Sequence, residues 1–425
     1  MVRQSTDPET SGTHRVIGNT SALLILQLAN YVLPLVVLPY LTRVLGIHLY
    51  GVVAFSMSMV IIATTITDFG FSLSATEEIA QTRQDVSHVR DVVGAVFIIK
   101  FGLVLFMAGG FALFLLFNTQ YAPYRLLIGF FFLSVIGQTF QPVWFFQGIE
   151  KMAFITAYTT LARLVYIVFI FWWVTEPADI VWVAVAHGIS FVASGALACI
   201  VMVAMGFRPT WRSWRFTWGV FKHSTSYFWA RASVAIYTAG STFFLGLVGI
   251  PSQVALYSAA EQLYKAGQSL ITPLVQALFP HMSRKKDYPL LFKVLKWSIV
   301  ASVIGSILGA IVGSWALSLI FGSRFSASYP ILLVFLAAFV VTTPSFLLGY
   351  PFLGSLGQTR LANISVLCAG AIQLVLLVLL YLGGRISGLD VALSVLVVEA
   401  VVLALRIFWG KYYYSEGLSK GALDA

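Results

Sequence analysis

Apolar runs of about twenty residues recur from one end of this chain to the other, and twenty is the number a helix needs to cross a bilayer. Breaks rich in Gly, Pro and charge separate the runs into twelve expected spans, near 17–44, 50–75, 92–117, 124–147, 152–174, 180–205, 218–247, 254–280, 294–320, 328–353, 361–382 and 388–410. Of the 425 residues, 59% are hydrophobic and 10% are charged. A soluble domain carries roughly 25% charged residues, so the expected class is an all-α polytopic membrane protein. Cys199 and Cys368 both sit in apolar runs and read as small buried hydrophobes, neither a disulfide nor a metal site.

The net charge of +10 does not point to nucleic acid, because the bases lie in short loops between apolar spans. With the N-terminus inside, eighteen of the 26 Lys and Arg fall in inner tails and loops, Arg83, Arg90, Arg208, Lys222 and Arg406 among them. Four fall in outer loops (Arg43, Arg125, Arg324 and Arg385) and four inside spans. That bias predicts cytoplasmic termini. The expected organisation is a cytoplasmic tail over 1–16, an N-lobe of six helices over 17–205, a cytoplasmic amphipathic linker over 206–217, a C-lobe over 218–410 and a tail over 411–425. In "RPTWRSWRFTWGVFKHS", Trp211, Trp214, Trp218 and Phe221 fall near one helical face with bases around them, so the linker reads as an interfacial helix that also offers a surface to anionic phospholipids. "VLGIHLYGVVAFS" (44–56) and "LVGIPSQVALYSA" (247–259) align as a weak internal repeat, Gly46 on Gly249. Two six-span halves entering from one side are related by an axis along the membrane normal.

Seven ionisable residues lie inside spans: Lys100, Arg163, Arg231 and Lys265 against Asp68, Glu261 and Glu399. Each costs at least about 2.5–3.5 kcal/mol near the bilayer centre unless it meets a partner or water. Glu261 and Lys265, at i and i+4, share a helix face and cancel locally. Lys100 has the alternative of snorkelling to the interface, Asp68 of pairing with an inner-loop base, and Glu399 of being a protonated structural residue. Arg163, Arg231 and the Glu261–Lys265 pair are deeper and point to a lined cavity. Four bases against three acids favour an anionic cargo. Pro34, Pro39, Pro142, Pro273, Pro280, Pro344 and Pro351 interrupt otherwise continuous spans. Enzyme chemistry finds no footing, since His187 and His281 stand alone and no outer loop exceeds about a dozen residues. No metal site is expected.

"ANYVLPLVVLPYLTRVLG" (29–46), "DFGFSLSATEEIA" (68–80) and "FFQGIEKMAFIT" (145–156) resemble hallmark segments of Wzx-type O-antigen and polysaccharide flippases. These belong to the multidrug/oligosaccharidyl-lipid/polysaccharide exporter superfamily, and the likeness continues more faintly through "YSAAEQLYKAGQSLITPL". The resemblance implies about twelve transmembrane helices in two six-helix lobes around a central cavity, in the bacterial inner membrane. It implies an undecaprenyl-pyrophosphate-linked oligosaccharide as cargo, with a polysaccharide polymerase and a chain-length regulator as candidate partners. On that reading Arg163, Arg231, Lys265 and Lys100 are the substrate-binding cations, and Asp68, Glu261 and Glu399 are candidates to carry a coupling H+ or Na+. The rival readings are a multidrug or other small-molecule antiporter on the same scaffold, and a membrane polymerase, which would want a large outer loop.

Overall fold

The computed structural model describes the backbone of residues 8–423 and the side chains of residues 36–415. The described elements are helical: α1 (Pro8–Asp68), α2 (Phe71–Thr82), α3 (Val86–Phe117), α4 (Arg125–Phe140), α5 (Val143–Gly148), α6 (Met152–Trp173), α7 (Ile180–Ala204), α8 (Trp214–Val248), α9 (Pro251–Lys285), α10 (Tyr288–Phe321), α11 (Tyr329–Leu347), α12 (Thr359–Leu382) and α13 (Gly388–Leu423). Among the described residues, ten helical stretches are long and apolar enough to cross a membrane. Two of the twelve expected spans are not among them. Most of 17–44 lies outside the residues whose side chains are described. The stretch 254–280 forms α9, but Glu261, Gln262, Lys265 and Gln268 make it too polar to qualify by hydropathy.

Local chemistry explains the boundaries. The Asp85 side chain accepts from the His88 amide at 3.0 Å to start α3, and Asp287 accepts from Leu290 at 3.1 Å to start α10. Gly46 takes a left-handed φ of 72° and kinks α1 at the break expected there. The expected span 50–75 is interrupted, because the chain turns at Phe69 and Gly70, with φ of 46° and 79°, before α2 begins. A side chain at Gly70 would in any case strike the Phe228 amide at 2.7 Å. Pro142 separates α4 from α5 as its missing N–H demands. Past Pro344, α11 gives way to a π-type segment over Leu348–Gly354 that contains Pro351. Pro273 and Pro280 do not end α9.

The linker departs from expectation. Residues 207–213 are not helical, because Pro209 cannot continue a helix and restricts the residue before it. The helix begins only at Trp214 and runs directly into α8.

The chain divides into two compact units, residues 1–38 with 63–231, and 39–62 with 232–425. The first is built on Phe71, Ile79, Val92, Val96, Trp144 and Phe146, where α2, α3 and α5 meet. In it Phe69 stacks between Phe221 and Phe228 at centroid distances of 4.5 and 4.6 Å. The second unit has a core of Leu278, Met282, Leu291, Leu347, Leu348 and Phe352. The two repeat segments lie against each other inside it: Tyr50 Oη is 3.5 Å from Ser258 Oγ, and Gly51 packs on the Pro251 backbone. α10 exposes Trp297, Ile304, Ile307, Leu308, Ile311 and Trp315, an apolar face with tryptophans toward its ends that suits lipid.

Candidate functional site

Three clusters of polar side chains sit within these apolar units. In the first unit Lys100, on α3, is 2% exposed. Its Nζ donates to the Thr139 carbonyl at 3.0 Å and lies 3.8 Å from an Asp68 carboxylate oxygen. Asp68 closes α1 and accepts from Ser72 Oγ at 2.7 Å, while Thr67 and Thr139 join hydroxyls at 2.7 Å. Trp144 lies 6.0 Å from the ammonium, ring centroid to Nζ. The snorkelling alternative for Lys100 therefore fails: the side chain turns inward because the C-terminal break of α4 leaves a carbonyl, and the end of α1 a carboxylate, within its reach. Asp68 pairs with this buried lysine, not with an inner-loop base.

In the second unit, Glu261 and Lys265 on α9 form the expected i, i+4 pair at 3.0 Å. Thr242 Oγ1 donates to Glu261 at 3.2 Å and Lys265 Nζ reaches the Thr238 carbonyl at 3.4 Å, so α8 completes the pair. Glu261 is buried whereas Lys265 is 40% exposed, so the ammonium is the accessible partner.

The third cluster surrounds Glu399 on α13, 2% exposed. Its carboxylate accepts from the hydroxyls of Tyr237 and Tyr264, the latter at 2.9 Å, and Tyr264 Oη also lies 2.8 Å from Thr342 Oγ1. Two turns further along α13, Arg406 is 7% exposed. It donates from Nη1 to the Ser345 carbonyl at 2.7 Å and to Ser345 Oγ at 3.1 Å, and from Nε to Ser365 Oγ at 3.0 Å. Arg406 is a correction to its reading as an inner-loop charge, since α13 carries it into the protein against the end of α11.

Arg163, on α6, has its Nη1 buried with no hydrogen-bond partner among the described residues. Arg231 is exposed on α8. Of the seven candidates, then, Asp68 meets Lys100 and Glu261 meets Lys265, while among the described residues no hydrogen bond or ion pair joins Glu399, Arg163 or Arg231 to another of the seven. Tyr237, Tyr264, Thr342 and Arg406 escaped sequence reasoning. Tyrosine and threonine in an apolar span carry no charge signal, and an arginine near a span end looks like a tail residue. His187, read as a lone residue, shares a 2.7 Å hydrogen bond with Ser134, and His281 lies 3.8 Å from Asp287. Both cysteines are free thiols.

Apolar helices long enough to span a bilayer, with buried charge clusters held by hydroxyls, define a polytopic membrane protein. Its fold is that of the MATE and MurJ transporters. It matches the lipid II flippase MurJ in an inward closed conformation with a TM-score of 0.72 at 12% identity, over 93% of this chain and 87% of that one. It matches the inward-facing conformation of a multidrug resistance MATE family transporter of the MOP superfamily at 0.66 and 14%, over 94% and 98%. In sequence, residues 16–286 match the polysaccharide biosynthesis protein family, and the chain belongs to that family. A protein of Escherichia coli strain K12 named "Putative O-antigen transporter" is 27% identical over 266 residues, 62% of this chain. The match spans 64% of that relative, just under two thirds of its length.

Proposed function

We propose that this protein is a flippase that carries an undecaprenyl-pyrophosphate-linked oligosaccharide, of the O-antigen repeat type, across the bacterial inner membrane by alternating access. Membership of the polysaccharide biosynthesis family carries this reading. The name of the E. coli relative supports the O-antigen class of cargo. Chemistry agrees: a pyrophosphate is at least a dianion, and guanidinium and ammonium groups are its natural partners. The polyprenyl tail stays in lipid while the sugar crosses.

In this proposal Arg163, Arg231 and Lys265 bind the pyrophosphate or acidic sugars. Arg163 has a buried nitrogen to offer, and Lys265 is the exposed half of its pair. Lys100 is the fourth cation, held in reserve by Asp68. Asp68, Glu261 and Glu399 are the groups proposed to carry a coupling H+ or Na+, because a carboxyl that gains or loses charge beside a base biases a two-state equilibrium. The twelve-helix, two-lobe arrangement and the cytoplasmic termini belong to the same proposal.

The test is flipping by the full chain reconstituted in liposomes, with a membrane-impermeant lectin or glycosidase reporting the leaflet of the lipid-linked oligosaccharide. Protein-dependent movement that falls in Arg163→Ala, Arg231→Ala and Lys265→Ala supports the cationic route. Folded protein that moves no lipid-linked sugar, yet exchanges an organic cation for H+ or Na+, replaces the flippase with a multidrug antiporter. Flipping that persists after every ion gradient is collapsed removes the coupling role.

A further inference from the structure

The stretch between α7 and α8 does more than join two helices. Residues 207–213 have no regular secondary structure and are tied to the start of α3 by the Thr210 amide on the Arg90 carbonyl at 3.2 Å and by Thr210 Oγ1 on Asp91 at 2.7 Å. Gly94 makes the approach possible, since a Cβ there would stand 1.9 Å from the Thr210 carbonyl oxygen. A cavity of about 900 Å3 at this strap is lined by Arg90, Cys199, Ile200, Val203, Arg208 and Thr210. A second, apolar cavity of about 410 Å3 is lined by Phe97, Ile98, Phe101, Phe140, Pro209 and Trp211, and shares Thr210 with the first.

The charges at this place do not cancel. Asp91 is engaged by Thr210 and lies 4.0 Å from Arg212. Arg90 uses its Nε on the Gly206 carbonyl at 2.8 Å, and its two terminal nitrogens have no acceptor among the described residues. Arg208 is exposed and makes no hydrogen bond or ion pair among the described residues. Trp211, Trp214 and Trp218 are exposed beside them, the residue type that marks the level of lipid headgroups. Two surplus guanidiniums in one cavity and an apolar slot that shares Thr210 with it form an amphiphilic site. A soluble phosphate would use only its polar end, whereas a phospholipid uses both.

We propose that Arg90 and Arg208 bind the phosphate of an anionic phospholipid, whose acyl chain lies along α3 in the apolar cavity that Pro209, Thr210 and Trp211 help to line. The site lies within one unit and requires no assumption about the transported cargo.

Native mass spectrometry of the full chain in detergent tests this, with phosphatidylglycerol, phosphatidylcholine of the same acyl chains, and inorganic phosphate as a competitor. One surface arginine contributes about 1 kcal/mol toward an anionic lipid, so Arg208→Gln weakens phosphatidylglycerol binding about fivefold. Arg208 is exposed and makes no hydrogen bond or ion pair among the described residues, so its loss leaves the fold intact. Lys222→Gln removes a charge outside the cavity and leaves the binding unchanged. Preference for phosphatidylglycerol that is lost in Arg208→Gln and kept in Lys222→Gln supports the site. Equal binding of phosphatidylcholine, or equal weakening by Lys222→Gln, overturns it as non-specific attraction. Full displacement of the lipid by millimolar inorganic phosphate overturns the lipid assignment in favour of a soluble anion.

Discussion

Arg406 offers the sharpest test of the structure, because the tail position expected for it and the position observed predict opposite results. Buried at 7% exposure, it makes three hydrogen bonds to Ser345 and Ser365, next to the π-type segment where α11 loses its regular ladder. Hydrogen bonds to a charged group contribute about 1.5–3 kcal/mol each, so the three together are worth at least about 4–5 kcal/mol before any cost. Burying a guanidinium costs several kcal/mol, and that cost disappears when the residue becomes Met. Arg406→Met alone therefore destabilises only by about 1–2 kcal/mol, the remainder of two larger opposing effects. The coupling to a partner is the cleaner quantity. Ser365→Ala should cost about 1.5 kcal/mol when Arg406 is present and almost nothing when it is Met, giving a coupling energy of about 1.5 kcal/mol. Reversible unfolding in mixed detergent micelles, read for the wild type, both single variants and the double, measures it. If Ser365→Ala costs the same in both backgrounds, Arg406 is not clamped to Ser365 and the packing of α13 against α12 described here is wrong.

Two further predictions concern packing and charge. Gly51→Ala puts a Cβ 1.8 Å from the Pro251 carbonyl oxygen, a backbone atom that cannot swing aside, and lowers stability by about 1–3 kcal/mol, whereas Gly102→Ala, with nothing within 4 Å, leaves the protein as stable as before; thermal unfolding followed by size-exclusion chromatography compares them. Asp68→Asn leaves the Lys100 ammonium buried without its counter-charge and lowers the yield of folded protein more than Lys100→Met/Asp68→Asn, which removes both charges. The reverse order in the same purification would place Lys100 in water.

The fold class was legible because it rests on composition and local periodicity. Apolar runs of bilayer length and loops rich in base both show over short stretches of chain. The Glu261–Lys265 pair was legible for the same reason: four residues on one helix always meet, whatever the helix packs against. The interruption at Phe69–Gly70 was missed although "DFG" is itself a break signal, because hydropathy stays high across it. The linker was misread because aromatic spacing outweighed Pro209.

The remaining contacts join residues far apart in sequence. Lys100 meets Asp68 and Thr139, Glu399 meets Tyr237 and Tyr264 across 162 and 135 positions, and Arg406 meets Ser345 and Ser365. In a soluble protein an apolar stripe reveals the face a helix buries, but in a bilayer lipid and protein interior are equally apolar. Hydropathy therefore determined that these helices exist and where most of them begin. Only side-chain packing in three dimensions decided which face of each turned inward, and so which charges found partners.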